Sequence, residues 1–153
     1  MKILILCTGN SCRSQMAQGY LQSLDPRLQV FSAGTRPASR VNPWAVTVMR
    51  EAGIDIAHHI PQPVDLFLSD AWDYVITVCD QANQSCPFFP GKVAHRLHLG
   101  FEDPAAVVGS DSEIRQAFIQ ARDQIMERFS RLYRETLRVD LADESPSSHN
   151  AIG

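Results

Sequence analysis

No apolar run in this 153-residue chain approaches the roughly 20 residues that a membrane-spanning helix needs. Basic charge is equally scarce. Lys and Arg number 14 against 17 Asp and Glu, leaving a formal net charge of -3, too little positive field to hold a polyanionic backbone. Nucleic acid is thereby excluded as a main partner, although a small anion needs only local donors. The opening Met1-Lys2-Ile3-Leu4-Ile5-Leu6-Cys7 is apolar, but it is far shorter than a signal-peptide core and has no small-residue cleavage site behind it. The expected compartment is the cytoplasm. No internal repeat is present. With 44% hydrophobic and 20% charged residues the composition is that of an ordinary globular protein, and the length suits one compact domain.

Four cysteines, at positions 7, 12, 79 and 86, carry most of the information. A reducing compartment, and a chain long enough to need no covalent staples, favour catalytic, redox or metal roles over structural disulfides. The metal alternative would draw on Cys79 and Cys86 with His95 and His98. Structural zinc uses closely spaced cysteine pairs, and Cys-x6-Cys is not that pattern, so no metal is expected.

Ile3 to Leu6 is a continuous aliphatic run, as for a strand buried on both faces of a parallel sheet. It ends at Cys7, and Thr8-Gly9-Asn10 signals a turn. From Ser14, the apolar positions Met16, Ala17, Tyr20, Leu21 and Leu24 recur at helical spacing until Asp25-Pro26. Leu28 to Ser32 is a second strand. Asn42-Pro43 supplies the cap and first-turn proline of a helix through Ala52, closed by Gly53. Tyr74 to Val78, rich in β-branched and aromatic residues, is a third strand that delivers Cys79 at its C-terminal end, and Val93 to Leu99 is a fourth. Ser110 and Glu113 match a capping box. It opens a helix with the apolar stripe Ile114, Phe118, Ala121, Ile125, Phe129 and Leu132. The stripe ends past Leu137. The expected organisation is one α/β domain over residues 1–139, a four-stranded parallel sheet with helices on both faces, followed by a flexible polar tail over 140–153. Ligands of such sheets bind beyond the carboxyl ends of the strands, where Cys7, Cys79 and the loop after the fourth strand converge.

Cys7-Thr8-Gly9-Asn10-Ser11-Cys12-Arg13-Ser14 sets a cysteine and an arginine six positions apart across a loop that enters a helix. Successive backbone N–H groups in such a loop form a concave nest, and the helix end adds partial positive charge. A tetrahedral oxyanion is then held without a basic surface, and Arg13 can fork two of its oxygens. The same field favours the Cys7 thiolate, with Ser14 adding a hydroxyl hydrogen bond. Cys7 thus reads as a nucleophile aimed at the central atom of the anion. A bare Cys-x5-Arg is a common coincidence, but a preceding buried strand and a following helix make the context that a phosphate cradle requires.

This loop resembles that of the low-molecular-weight protein tyrosine phosphatase superfamily, a resemblance that spans roughly residues 1 to 137. It implies that Asp103, in Gly100-Phe101-Glu102-Asp103-Pro104, is the acid that protonates a leaving oxygen. A phosphatase has no use for Cys79 or Cys86. Val78-Cys79-Asp80 to Ser85-Cys86-Pro87, together with Thr8 to Ala17 and Gly100-Phe101, is similar to the thioredoxin-coupled arsenate reductases, a branch of the superfamily. That likeness implies arsenate as substrate, Cys7 as nucleophile, Cys79 and Cys86 as second and third thiols, and thioredoxin as electron donor. No tightly bound cofactor is implied, and a monomer is expected. Cys12 is read as structural. The alternative is a phosphatase using Cys7, Arg13 and Asp103, but Ala105-Ala106 stands where tyrosine phosphatases of the family carry a stacking tyrosine. Some members bind potassium through a Thr-Ser-Asp stretch whose counterpart here is Ile60-Pro61-Gln62, without the acidic ligand. A disulfide between Cys79 and Cys86 has a geometric consequence. Seven residues of helix rise by ~10 Å, more than the 4.4 to 6.8 Å that separates bridged Cα atoms, so any helical turn between them must open.

Overall fold

The computed structural model describes residues 1–144. Four strands, β1 (Lys2–Cys7), β2 (Gln29–Gly34), β3 (Trp72–Thr77) and β4 (Val93–His98), form one parallel sheet in the order β2-β1-β3-β4. β1 lies between β2 and β3, and its Ile3, Leu4, Ile5 and Leu6 are fully buried. An unbroken aliphatic run is what a strand covered on both faces requires. Each such side chain contributes about 1.5–3 kcal/mol by leaving water.

Alternation along β1 divides the core in two. Ile3, Ile5 and Cys7 face a large cluster built with helices α1 (Arg13–Leu24), α2 (Pro43–Glu51) and α4 (Asp111–Leu132). Leu4 and Leu6 face a smaller one, covered by the 3-10 turn Val64–Phe67 and by Phe89, with Cys86 packed against it. Helical turns thus flank both faces, unequally. The chain reverses direction across the sheet between β1 and β3, so the ligand crevice of an α/β sheet falls at their C-terminal ends. Cys7 and Cys79 stand there. Between Cys79 and Cys86 lies a short helix, α3 (Asp80–Gln84).

The expected caps are present. Asn42 Oδ1 accepts from the Trp44 amide (2.9 Å) at the start of α2, and Gly53 closes the following turn with φ +83. Ser110 and Glu113 form a reciprocal capping box on α4.

One boundary needs correction. The helical path does not end at Leu137: a π turn, Tyr133–Leu137, leads into α5 (Arg138–Asp143), where Leu137 and Leu141 are buried. The domain therefore runs past residue 139, and residues 140–143 are not tail. The extra residue in a π turn shifts the phase of an apolar stripe, which is why the 3.6-residue period breaks there. Tyr133 secures the turn by donating to Asp25 Oδ2 (2.7 Å), and Tyr74 donates to Asp140 Oδ2. The tail expected over Ser145 to Gly153 lies outside the described residues. Among the described residues no helix is long and apolar enough to cross a membrane.

Candidate active site

The loop after β1 is shaped by where its carbonyls go. The oxygens of Cys7, Thr8, Gly9 and Ser11 accept from the amides of Thr35, Arg36, Ala38 and Asn42, at 2.8–3.3 Å. With its carbonyls drawn outward to the 35–42 segment, the loop is left with its N–H groups for the concave side. Close approach of Gly34 makes this possible, since a Cβ there would meet Thr8 O at 2.6 Å. Asn10 adopts φ 51, in the left-handed region that asparagine tolerates. Cys12 caps α1 without a side-chain hydrogen bond, so the first amides of the helix stay available to an anion.

Asn10 is the fully buried keystone of this loop. Its Nδ2 donates to Ser14 Oγ (2.7 Å) and Ser32 Oγ (2.9 Å), and its Oδ1 accepts from the Gln62 amide (2.9 Å) and Gln15 Nε2 (3.1 Å). Gln15 Nε2 is committed to Asn10, so its Oε1 accepts from His59 Nδ1 (2.9 Å). Ser32 in turn donates to Gln18. Neutral amides and a backbone N–H therefore surround Asn10 and Ser32. Gln15, Gln18 and His59 are supports that the sequence reading missed. Two glutamines at i and i+3 beside a buried stripe were the available signal.

Arg13 divides its guanidinium between structure and site. Nη1 donates to Phe101 O (2.9 Å), while Nη2 stands 3.9 Å from Asp103 Oδ2. Nε is buried and has no partner among the described residues, which leaves the Nε–Nη2 edge for the fork. Asp103 caps the turn Pro104–Ala106, its Oδ1 accepting from the Ala105 amide (3.0 Å). Cys7, Thr8, Gly9, Ser11, Cys12 and Arg13 line a cavity of about 250 Å³ that Gln81, Asp103 and Ala105 close.

Cys7 and Cys79 are each only 3% exposed and lie beside one another at the strand ends, Cys7 lining the cavity and Cys79 behind it. Their mutual hydrogen bond draws the Cys79 thiol down to about 5 against its burial, helped by Thr8 Oγ1 and the Ala82 amide, each 3.4 Å from Sγ. The same bond, together with burial, raises the Cys7 thiol, opposed by hydrogen bonds from the Ser14 hydroxyl and the Ser14 and Asn10 amides. The donors expected around Cys7 are in place, but ionisation belongs to the pair. Burial pushes the Cys12 thiol up to about 11.

All four cysteines are unbridged. Cys86, half-buried, packs with the opposite face of the sheet, so the structure joins Cys7, Arg13, Cys79 and Asp103 but not Cys86. His95 stacks on Tyr74 (4.8 Å between ring centroids), and His98 bonds Thr77 Oγ1 and Asp80 Oδ1. Among the described residues no group of three or more His, Cys, Asp or Glu is gathered to hold a metal ion.

A strand-end cysteine, an amide-lined loop, a half-committed arginine and a second thiol are the parts that nucleophilic attack on a tetrahedral oxyanion would use. The chain belongs to the low molecular weight phosphotyrosine protein phosphatase family, whose model matches residues 2–142. It is 45% identical over 130 residues to an arsenate reductase of Bacillus licheniformis, covering 84% of this chain and 92% of that protein. Among solved structures it is similar to an arsenate reductase in the phosphate-binding state, with a TM-score of 0.70 and 31% identity over 88% of this chain and 97% of that one. An arginine phosphatase from Geobacillus stearothermophilus matches with a TM-score of 0.73 and 26% identity, over 94% of this chain and 97% of that one.

Proposed function

We propose that the protein reduces arsenate to arsenite through a three-thiol relay and is recharged by thioredoxin. The observation that carries this reading is Cys79, a second thiol buried beside the nucleophile, its Sγ 3.4 Å from Thr8 Oγ1 of the oxyanion loop. Hydrolysis of a phosphoester has no role for it. The likeness to arsenate reductases over most of the chain supports the same conclusion.

The steps balance as follows. Cys7 Sγ bonds to arsenic and an arsenate oxygen leaves as water, with Arg13 and the loop amides holding the remaining oxygens and Asp103 as proton source. Cys79 then attacks Cys7 Sγ. The sulfur–arsenic bond breaks, its electron pair stays on arsenic, and arsenite departs from a Cys7–Cys79 disulfide. Cys86 attacks Cys79 and expels the Cys7 thiolate, and the Cys79–Cys86 disulfide takes two electrons from the thioredoxin dithiol. The redox work is done by the chain's own sulfurs, so no bound cofactor is required, and we take the enzyme to act as a cytoplasmic monomer.

A phosphatase reading has one observation in its favour: Asp103 lies at the cavity beside Arg13. Against it, Ala105 forms the wall where an aryl ring would stack. Weak aryl-phosphate hydrolysis is therefore expected as a side activity. The test is arsenate-dependent NADPH oxidation with thioredoxin and thioredoxin reductase, comparing wild type with Cys86→Ser and scoring aryl-phosphate hydrolysis in parallel. Loss of turnover with hydrolysis intact supports the relay. Absence of arsenate turnover in the wild type, with robust hydrolysis dependent on Asp103, makes the protein a phosphatase.

A further inference from the structure

On the face of the sheet opposite the oxyanion cavity, Cys86 lines a separate chamber of about 270 Å³ with Thr77, Asn83, Arg96 and His98. The pairing of β3 with β4 sets Arg96 opposite Val75, a residue of the smaller core cluster against which Cys86 packs. Arg96 Nη1 points a donor at Cys86 Sγ from 3.8 Å. The exposed guanidinium also lies beside buried Phe89, its Cζ 5.4 Å from the ring centroid, within cation–π reach. Among the described residues no carboxylate lies within ion-pair distance of Arg96. The other titratable group lining the chamber is His98, whose two ring nitrogens are engaged by Thr77 and by Asp80 of α3.

We propose that Arg96 assists the third thiol, its guanidinium beside the Phe89 ring favouring the Cys86 thiolate that attacks Cys79. The inference rests on the three-thiol reading above and adds a residue to it. The step is a thiol–disulfide exchange without net oxidation: a Cys79–Cys86 bond forms, the Cys7–Cys79 bond breaks, and Cys7 leaves as thiolate. Only the thiolate is competent to attack. Burial is the larger effect and raises the Cys86 thiol, while the Arg96 charge and hydrogen bond offset part of it, so removing the arginine leaves burial unopposed.

The test measures the pH dependence of Cys86 alkylation by iodoacetamide in the reduced, full-length protein, read on the Cys86 peptide by mass spectrometry. In Arg96→Gln the midpoint is expected to rise by about one unit, or about tenfold less thiolate at neutral pH, and Arg96→Lys restores most of it. Arg96→Met, which keeps the stem over Phe89, replaces Gln if that variant fails to fold. Thioredoxin-driven arsenate turnover falls in parallel. Single-turnover arsenite release, which needs Cys7 and Cys79 only, stays at the wild-type level. An unchanged midpoint, with Cys86→Ser inactive in turnover, overturns the role of Arg96 and leaves the relay standing. Turnover that survives Cys86→Ser overturns the relay itself, and the role of Arg96 with it.

Discussion

Oxidation of Cys79 and Cys86 to a disulfide requires α3 to open, and the structure sets how hard that is. Beyond the ladder of its single turn, the helix is anchored by a handful of bonds: Asn83 N–H to Cys79 O at 3.1 Å, Ser85 N–H to Gln81 O at 2.9 Å, Ala82 N–H to Cys79 Sγ at 3.4 Å, Thr77 Oγ1 to Asn83 Oδ1 at 3.3 Å, and His98 Nε2 to Asp80 Oδ1 at 3.0 Å. Each is worth about 1 kcal/mol net. Only Ala82 is buried within it, and its methyl adds about 1 kcal/mol. The sum, about 6 kcal/mol, is opposed by the backbone entropy of about 1–2 kcal/mol that each freed residue regains. Amides of 82–85 in the reduced protein are therefore expected to show protection of no more than about 10⁴, because each 1.36 kcal/mol is tenfold. Strand β1, opening only globally, is protected far more. Reaction with one equivalent of arsenate, without a reductant, should abolish protection across residues 80–90. Hydrogen exchange read by mass spectrometry on reduced and oxidised protein makes the measurement. Equal uptake in the two states, or protection of α3 comparable to that of β1 before oxidation, would refute the account.

Asp103→Asn is expected to reduce aryl-phosphate hydrolysis about 10²–10⁴-fold, the range of a lost general acid, as measured by steady-state kcat. Cys79→Ser removes the largest cause of the raised Cys7 thiol. Cys7 then ionises at lower pH, and the acid limb of kcat/KM for hydrolysis should move down by at least about one unit, a tenfold gain on that limb; an upward or absent shift contradicts an effect of Cys79 on Cys7 ionisation. Asp25, buried, accepts from Arg27 at 2.7 Å and from Tyr133 at 2.7 Å, and the Arg27 hydrogen bond holds its carboxyl below the ordinary range. Because the folded value is depressed, this stability is present above the unfolded value of about 3.9 and is lost as pH falls toward the folded one. Asp25→Asn should cost about 1.5–3 kcal/mol in urea unfolding at pH 7, and the deficit should shrink on acidification.

How far these features can be read from the residues alone differs from place to place. β1 is legible because a run of four aliphatic residues admits few readings, and its end fixes where Cys7 stands. The Asn42 and Ser110 caps are legible because their hydrogen bonds are local. The support of Asn10 is not local: its partners come from positions 14, 15, 32 and 62, which only the fold brings together. The π turn escapes because it breaks the very period by which a helix is recognised. That Cys86 lies on the opposite face from Cys79 also escapes, since a seven-residue spacing says nothing about which side of a sheet edge the chain crosses.

That crossing bears on the choice between hydrolysis and reduction. In a hydrolase the second nucleophile is water, which reaches the cavity by diffusion and needs no passage through the protein. In the three-thiol reading the oxidising equivalent forms between Cys7 and Cys79, both 3% exposed, where the dithiol of a protein-sized donor cannot touch it. Something must carry it outward. α3 begins at Cys79, which caps its first turn through Sγ, and the chain leaving it reaches Cys86, half-exposed, with Phe88 82% exposed beside it. A well-anchored helix would trap the equivalent, and a disordered segment would let Cys79 leave the acidic pairing with Cys7 before arsenate is reduced. A helix of one turn with a single buried residue meets both needs, rigid enough to set the second thiol and light enough to open for the third.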